Sequence, residues 1–187
     1  MSDAAKQIID LYRRHALPWV ERRGTELKER KWVDRLIQLL PAQPSILDAG
    51  SGSGSPIGCY LIAKGCALTG VDTSLELIDI ARQRGPGGQW VVDDMRVLQL
   101  DHTFNGILAW NSIFHLTPEE QRQMFSVFAK HAAPSAVLVF TSGPQHSVEI
   151  GEFEGGALYH ASLDATEYCS LLEKHGFRLL DHVVEDP

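Results

Sequence analysis

The stretch Ile46-Leu47-Asp48-Ala49-Gly50-Ser51-Gly52-Ser53-Gly54 decides how the rest of the chain is interpreted. Apolar and small residues around one carboxylate predict a short buried strand. The three glycines then end that strand, because glycine reaches positive φ and lets the backbone lie directly against a ligand. Pro56 and the apolar residues after it predict a helix entered from this turn. A strand, a glycine turn and a helix N-terminus together predict a nucleotide site, because free N–H groups and the helix dipole favour polar or anionic groups.

The composition indicates one globular domain. The chain has 187 residues, of which 44% are hydrophobic and 22% charged, enough for a single substantial core. The net charge of −7 argues against a broad phosphate-binding face, so we expect no nucleic-acid partner. No apolar run approaches the ~18 residues of a membrane span. The three cysteines have no metal or disulfide spacing and no signal peptide is recognisable, so we expect a cytoplasmic protein without membrane contact.

Helical and strand patterns alternate after the glycine turn. Strands are predicted at 68–72, 90–94, 107–110, 136–141 and 177–184, and helices at 75–84, 118–132 and after Asp164. Three helix starts are marked by caps, namely Ser74, a capping box at 117–120 and Asp164 with Glu167, and Gly176 marks the end of the last helix. Right-handed crossovers between such strands give an α/β fold with a doubly wound, mostly parallel Rossmann-like sheet. Its ligand would lie beyond the carboxyl ends of the strands. Residues 142–163 are predicted to be a long irregular loop, which in a compact domain is usually functional or disordered.

Two amphipathic helices are predicted before the first strand, at 3–16 and 25–40, with a break at Leu17-Pro18-Trp19. They have no place in the sheet and are free to cover its ligand edge. We therefore expect residues 1–187 to form a single domain. In it, residues 1–44 are a helical cap and residues 45–187 are the nucleotide-binding part.

Carboxylates close the second and third predicted strands. Asp72 ends the second strand, where an acid accepts hydrogen bonds from ribose hydroxyls in both dinucleotide and S-adenosylmethionine sites. The dinucleotide fingerprint wants a third glycine at position 55, where this chain has Ser55. Asp94 ends the third strand and is a suitable acceptor for an adenine amino group. Its neighbour Asp93 is interpreted as an exposed acid at the strand end.

These residues resemble the class I S-adenosylmethionine-dependent methyltransferases. The resemblance is carried by the 48–54 stretch, Asp72, Asp93-Asp94-Met95 and the strand that leads to Asn111, and it runs from about residue 45 to the end. The pattern from Leu158-Tyr159-His160 to Gly176-Phe177 is similar to small bacterial members that act on small molecules. The resemblance implies a transferase that uses S-adenosyl-L-methionine as cofactor and methylates a small-molecule acceptor.

The resemblance also implies a cofactor site. The glycines would let the backbone approach the methionine moiety, and Thr73 would flank Asp72 at the ribose. Met95 would lie with Asp94 at the adenine, and Asn111 near the sulfonium. Asp48 is expected to orient the glycine turn rather than touch the methyl group. The implied cofactor-binding set is Asp48, Gly50, Ser51, Gly52, Gly54, Asp72, Thr73, Asp94, Met95 and Asn111.

The sequence departs from the family pattern in one respect. The family sheet normally ends in an antiparallel hairpin whose last strand inserts beside the fifth strand. No such strand is predicted after residue 184, so we expect the last antiparallel strand to be missing. Either the chain is truncated or that sheet position is filled in another way.

Candidate proton acceptors follow the predicted strands four and five. A base helps methyl transfer only if the nucleophile arrives protonated. His115, His160 and Tyr159 are the catalytic candidates, and His146 is a further histidine of the predicted loop. For any single histidine, a structural or surface role is the alternative. Their spacing matches no metal motif, so no metal is assigned.

The acidic residues of the predicted loop leave the acceptor open. Glu149, Glu152 and Glu154 would suit a cationic or amine substrate, although a solvated loop explains them equally well. Two other functions also stay open. One is a non-catalytic S-adenosylmethionine-binding protein; the other is a nicotinamide-dependent oxidoreductase, which Ser55 and the short chain disfavour. The sequence does not determine the oligomeric state.

Overall fold

A computed structural model describes residues 3–85 and 87–184. The domain boundaries predicted at residues 1 and 187 lie outside the described residues. The elements before the third strand are α1 (Asp3–Arg14), α2 (Ala16–Arg23), α3 (Arg30–Leu39), β1 (Ser45–Ala49), α4 (Ile57–Ala63), β2 (Ala67–Asp72) and α5 (Leu75–Arg84). They are followed by β3 (Gln89–Val92), β4 (Phe104–Ala109), α6 (Pro118–His131), β5 (Ala132–Phe140), β6 (Ser147–Phe153), β7 (Gly156–Ser162) and α7 (Ala165–Lys174).

The central sheet is doubly wound, as predicted. Its strand order is β3-β2-β1-β4-β5 and all four pairings are parallel. The order reverses between β1 and β4, so the switch point lies beside the glycines that follow β1. Helices α3, α4 and α5 pack on one face around Trp90, and α6 and α7 pack on the other around Phe125. None of the helices in the described residues is long and apolar enough to cross a membrane.

Local sequence signals predicted several helix ends correctly. Helix α5 has the predicted bounds, and the Ser74 hydroxyl accepts from the Leu77 N–H as its N-cap. Thr117 and Glu120 form the predicted capping box of α6. Gly176, with φ of 81°, ends the last helix as expected. These signals succeed because the side chain or the glycine acts on backbone groups within the same helical turn.

The prediction of an irregular loop over 142–163 is wrong. Most of this segment is an antiparallel hairpin, β6–β7, separate from the main sheet. Phe153 pairs with Gly156, so the turn has two residues, Glu154 and Gly155, with φ of 51° and 75°. Positive φ at both positions is the backbone of a type I′ turn, whose twist matches that of the two strands. The segment predicted to be a loop is therefore mostly a regular β-hairpin.

The N-terminal helices also differ from the prediction. The break falls at His15, and α2 runs through Leu17-Pro18-Trp19. Pro18 is tolerated because it lies in the first turn of α2, where its missing N–H needs no partner in the helix. The second predicted helix begins at Arg30 rather than at residue 25.

Two predictions near the C-terminus are wrong as well. Asp164 occupies the N-cap position of α7 but makes no capping bond; its carboxylate accepts from the His146 N–H instead. Residues 177–184 are not a strand. Phe177 is partly buried against the core, and the other apolar side chains, including Leu180 and Val184, are exposed. Over the described residues β5 is hydrogen-bonded to β4 alone. Apolar patterning did not predict this outcome, because strand formation depends on a paired neighbour as well as on composition.

Candidate active site

The glycine loop, residues 50–54, lies at the carboxyl end of β1. The N–H groups of Gly50 and Ser51 donate to the Val71 carbonyl at 2.8 and 3.0 Å, which holds the loop on the end of β2. All three glycines have positive φ, of 86°, 54° and 69°. A Cβ at Gly50 would collide with Ser112, and one at Gly54 with the Trp90 ring. Only glycine fits both the conformation and the space, so the loop presents bare backbone at this edge.

Asp72 orients the glycine loop. Its carboxylate accepts from the Gly52 N–H and the Ser74 N–H, each at 2.9 Å. Burial raises the pKa of Asp72, while these hydrogen bonds oppose the shift. Each carboxylate oxygen has two lone pairs, so acceptor capacity remains for a ligand. This is the position predicted to bind a ribose.

Asp48 does not have the role predicted for it. Its side chain is buried, 4% exposed, and receives no hydrogen bond from the described residues. Burial, together with the neighbouring Asp72 carboxylate, raises the pKa of Asp48 to about 7. The expectation that Asp48 orients the loop is therefore wrong, because Asp72 makes that contact. Asp48 instead lines a cavity as an unpaired acid.

The acids after β3 are held by their own neighbours. Both oxygens of Asp94 accept from the Arg96 guanidinium, which also pairs with Glu120 at the start of α6. Burial alone would raise the pKa of Asp94, but the hydrogen bonds and charge of Arg96 outweigh it and lower the pKa. An adenine amino group at Asp94 would share the carboxylate with Arg96. Asp93 accepts from the Asp94 N–H and is half-buried.

The other residues predicted at the cofactor lie close to the same edge. The Met95 methyl lies 3.1 Å from where a Gly50 Cβ would stand. Asn111 has φ of 49°, and its N–H donates to the Thr141 hydroxyl. The Thr73 carbonyl accepts two hydrogen bonds from Arg13 of α1, at 2.9 and 3.2 Å. The Arg13 bonds fasten α1 to the end of β2.

Two of the three catalytic candidates come together. The rings of His115 and His160 lie with centroids 4.8 Å apart. Tyr159 is different: its ring is buried against Ile8 of α1, and only its carbonyl reaches the site, 2.9 Å from His115 Nδ1. The expected catalytic role of the Tyr159 phenol is not supported by this position. His146 is exposed and does not line the cavity beside the glycine loop.

Two aromatic residues of the helical cap belong to the site and were not predicted as site residues. The Tyr12 hydroxyl lies 2.8 Å from His115 Nε2. The Trp19 ring covers the glycine loop, 2.7 Å from where a Gly52 Cβ would stand. The sequence did indicate that aromatic residues lie on the apolar side of two helices outside the sheet. This pattern could not identify the residues that Tyr12 and Trp19 contact, because those residues are far away in the chain.

These groups line a cavity of about 240 Å³. Its wall includes Asp48, parts of the glycine loop, Tyr12, Trp19, His115 and His160. A larger groove, of about 1040 Å³, runs along β5 between α3, α7 and residues 177–184. We assign the site to the smaller cavity because it lies at the sheet's switch point and contains the glycine loop and an unpaired buried acid. The fold and this edge define a nucleotide-binding α/β protein.

Comparisons with known proteins find similarity to methyltransferases. Residues 46–135 match the family model of a methyltransferase domain. No curated protein sequence matches the chain. Among solved structures, the chain is similar to magnesium protoporphyrin IX methyltransferase from Synechocystis PCC 6803 with bound S-adenosylmethionine. The identity is 18%, over 97% of this chain and 89% of that chain, with a TM-score of 0.73.

Two further solved structures have the same fold. One is the 1,6-didemethyltoxoflavin-N1-methyltransferase of Burkholderia thailandensis with bound 1,6-didemethyltoxoflavin and S-adenosylhomocysteine. It is 18% identical, over 95% of this chain and 77% of that chain, with a TM-score of 0.71. The other is a TehB-like methyltransferase from Corynebacterium glutamicum, 24% identical over 92% and 82% of the two chains, with a TM-score of 0.61. Residues 46–135 therefore carry a methyltransferase domain, and the chain has the fold of the class I S-adenosylmethionine-dependent methyltransferases.

Proposed function

We propose that the chain transfers a methyl group from S-adenosylmethionine to a small-molecule acceptor bound in the cavity beside the glycine loop. The observation that carries the proposal is the junction of three features at one sheet edge. They are a glycine loop that no larger residue could form, an acid with free acceptor capacity at the end of β2, and a cavity closed by aromatic side chains. In this proposal residues 1–44 are the helical cap of a single domain.

The residues at this edge fit the cofactor chemically. Backbone without side chains at Gly50, Gly52 and Gly54 suits close approach of the amino-acid part, and Asp72 suits ribose hydroxyls. The unpaired carboxylate of Asp48 suits a cationic group, because a buried charge is stabilised by an opposite one. Ser51, Thr73, Met95 and Asn111 would complete the site, with Asp94 at the adenine. When bound, the cofactor supplies an electrophilic methyl group on a sulfonium sulfur.

The chain's own contribution is positioning. Methyl transfer needs in-line approach of the nucleophile, and holding two reactants in that geometry supplies much of the rate. Tyr12 and Trp19 close the cavity from the side of the helical cap, and His115 and His160 close it from the side of the sheet and hairpin. These rings exclude water from the reacting groups.

The first test is equilibrium binding. We expect calorimetry to detect S-adenosylhomocysteine but not NAD, and Asp72→Ala to weaken S-adenosylhomocysteine binding by about 1.5–3 kcal/mol, the range for hydrogen bonds to a charged group. Asp101→Ala is the control, since Asp101 is an exposed acid just before β4, at the opposite edge of the sheet. Unchanged affinity in a folded Asp72→Ala variant would remove the ribose assignment. Binding of NAD would favour the oxidoreductase, and cofactor binding without methylation of any acceptor would favour the non-catalytic alternative.

The second test concerns His160, which the hairpin places in the cavity wall. His160→Ala should lower turnover or raise the KM for the acceptor, with little change in cofactor affinity, because the ring contacts His115 and Phe114 rather than the glycine loop. His146→Ala in the same segment is the matched control, since His146 is exposed. An equal loss of cofactor affinity, or an unaltered rate with the true acceptor, would remove His160 from the acceptor site. A matching loss of thermal stability would indicate that it only tethers the hairpin.

A further inference from the structure

The hydrogen bonds of His115 define where its ring proton lies. Nδ1 is 2.9 Å from the Tyr159 carbonyl oxygen, which can only accept. Nδ1 therefore carries the proton, and in the neutral ring Nε2 has a free lone pair. Loss of hydration around the ring lowers the pKa of His115 to about 4, so the ring is neutral at physiological pH.

The direction of the next hydrogen bond follows from this tautomer. Tyr12 Oη lies 2.8 Å from His115 Nε2, and an unprotonated Nε2 can only accept. The Tyr12 hydroxyl must donate its single proton to His115. Its oxygen then has only lone pairs left for any other partner. Since Tyr12 lines the cavity, it offers an acceptor there and no donor.

The charges around the cavity favour the same kind of ligand. Arg23 is the one cationic side chain among the described residues that line it, and its guanidinium pairs with Glu29 at 2.8 Å and donates to the Glu26 carbonyl. Asp48 contributes an unpaired carboxylate. Aromatic faces, including those of Trp19 and Phe114, also attract cations. The wall therefore suits hydrogen-bond donors and positive charge, and it offers little to stabilise an oxyanion.

We propose that Tyr12 is a specificity residue and that the methyl acceptor is an amine, whose N–H group donates to the Tyr12 phenol oxygen. This inference rests on the proposed function. The ammonium form of the acceptor first releases one proton to water. The nitrogen lone pair then forms the new N–C bond, the C–S bond breaks with its electron pair left on sulfur, and the methylated nitrogen keeps the positive charge. His115 is a positioning residue in this scheme, because it acts by directing the Tyr12 proton away from the acceptor.

An oxygen acceptor fits these groups less well. A hydroxyl becomes a strong nucleophile only when a base removes its proton. His115 is a weak base in this setting, and its lone pair is already bonded to Tyr12. An ammonium group gives up its proton to water far more readily than a hydroxyl does, so it needs no such base. The amine that results has an available lone pair and still carries an N–H.

The test uses two probes of the same shape. Benzylamine and benzyl alcohol are titrated by calorimetry into the protein saturated with S-adenosylhomocysteine. We expect benzylamine to bind more tightly, and Tyr12→Phe to lower its affinity by about 10- to 100-fold, the range for one hydrogen bond to a charged group. Affinity for S-adenosylhomocysteine itself should stay within about twofold, a change below ~0.5 kcal/mol. Tyr60→Phe, which removes a hydroxyl bonded to Asp34 on α3, is the matched control and should change neither affinity.

The outcomes separate this inference from the proposed function. Failure of the wild-type protein to bind S-adenosylhomocysteine contradicts the proposed function itself. If S-adenosylhomocysteine binds, three results overturn the amine inference alone. They are equal affinities for benzyl alcohol and benzylamine, no binding of either probe, and an unchanged affinity for benzylamine in Tyr12→Phe. A ¹⁵N NMR spectrum of wild-type protein that places the His115 proton on Nε2 would also overturn it, and this measurement needs no variant.

Discussion

Two acids at the glycine loop differ in partners although both are removed from water. Asp72 accepts backbone N–H bonds that stabilise its charge, whereas Asp48 has no donor among the described residues. The pKa of Asp48 therefore rises to about 7 through burial and the nearby Asp72 charge. An unpaired buried acid is costly for folding unless a ligand compensates it. Asp48 is a position where function and stability conflict.

The stability of the ligand-free protein should therefore depend on the ionisation of Asp48. Its folded pKa, about 7, lies above its ordinary value of 3.8, so its contribution is most favourable below about pH 4 and is lost as pH rises towards 7. Asp48→Asn removes this titration without changing shape. We expect the variant to raise Tm relative to wild type more at pH 8 than at pH 4, with one pKa unit corresponding to about 1.4 kcal/mol. Thermal denaturation at the two pH values measures the difference.

The exposed acid Asp101 provides the control for this comparison. Asp101→Asn should give the same Tm difference from wild type at both pH values, because Asp101 is exposed. A pH-independent effect of Asp48→Asn would contradict the raised pKa.

At the scale of elements, the β6–β7 hairpin does most to build the site. It packs its Tyr159 ring against α1, offers the Tyr159 carbonyl to His115 and places His160 beside that ring. Strand residues alternate between faces, so neighbours 159 and 160 serve opposite sides of the hairpin. One two-residue turn therefore determines which side chains face the cavity, because a register shift of one residue would exchange them.

The turn residue Gly155 should be important for stability. Its φ of 75° is unfavourable for any residue with a Cβ, although no atom lies within 4 Å of where a Cβ would stand. Gly155→Ala should cost about 1–2 kcal/mol from the backbone conformation alone. For a chain of this size, that corresponds to a Tm about 2–8 °C lower.

A second glycine of the hairpin provides the control that separates the effect of backbone strain from the general effect of replacing glycine by alanine. Gly151 lies within β6 and has only an ordinary contact with the Leu158 carbonyl, at 3.8 Å. Gly151→Ala should leave Tm nearly unchanged. Equal effects of the two substitutions would contradict the positive-φ turn.

At the scale of the whole molecule, the helical cap and the hairpin form a cover over the carboxyl edge of the sheet. Arg13 fastens α1 to β2, Tyr12 binds His115, and Trp19 lies on the glycine loop. The enclosed space, about 240 Å³, is below the ~300–1000 Å³ of typical ligand pockets. A cofactor and an acceptor together need more room than this cavity has, so we expect the cover to shift when they bind.

Hydrogen exchange can detect this movement. We expect amides of residues 3–24 to exchange more slowly when S-adenosylhomocysteine binds, because the cap closes on the occupied loop. Amides of residues 147–162 should also exchange more slowly, since β7 packs on α1. Helix α3, which packs on the sheet through Val33 and Leu36, provides the internal control. No change at residues 3–24 would mean that these helices only complete the core.

The sequence by itself determined the parallel sheet, the glycine loop, the acid at the end of β2 and several helix ends. Those features depend on contacts within a few residues: apolar periodicity, positive φ at glycine, and side chains that cap their own helix. His115 and His160 were also identified, since both follow predicted strands. The sequence did not predict which residues surround them.

Only the tertiary structure decided which groups meet at the site. Tyr12 and His115 are 103 positions apart, and His115 and the Tyr159 carbonyl are 44 apart. The tertiary structure also decided that Asp72, rather than Asp48, accepts the hydrogen bond from the glycine loop. It likewise decided that residues 177–184 do not form a strand. Burial, hydrogen-bond direction and strand pairing are properties of the neighbours that folding supplies. No local pattern encodes them, because the partners come from distant parts of the chain.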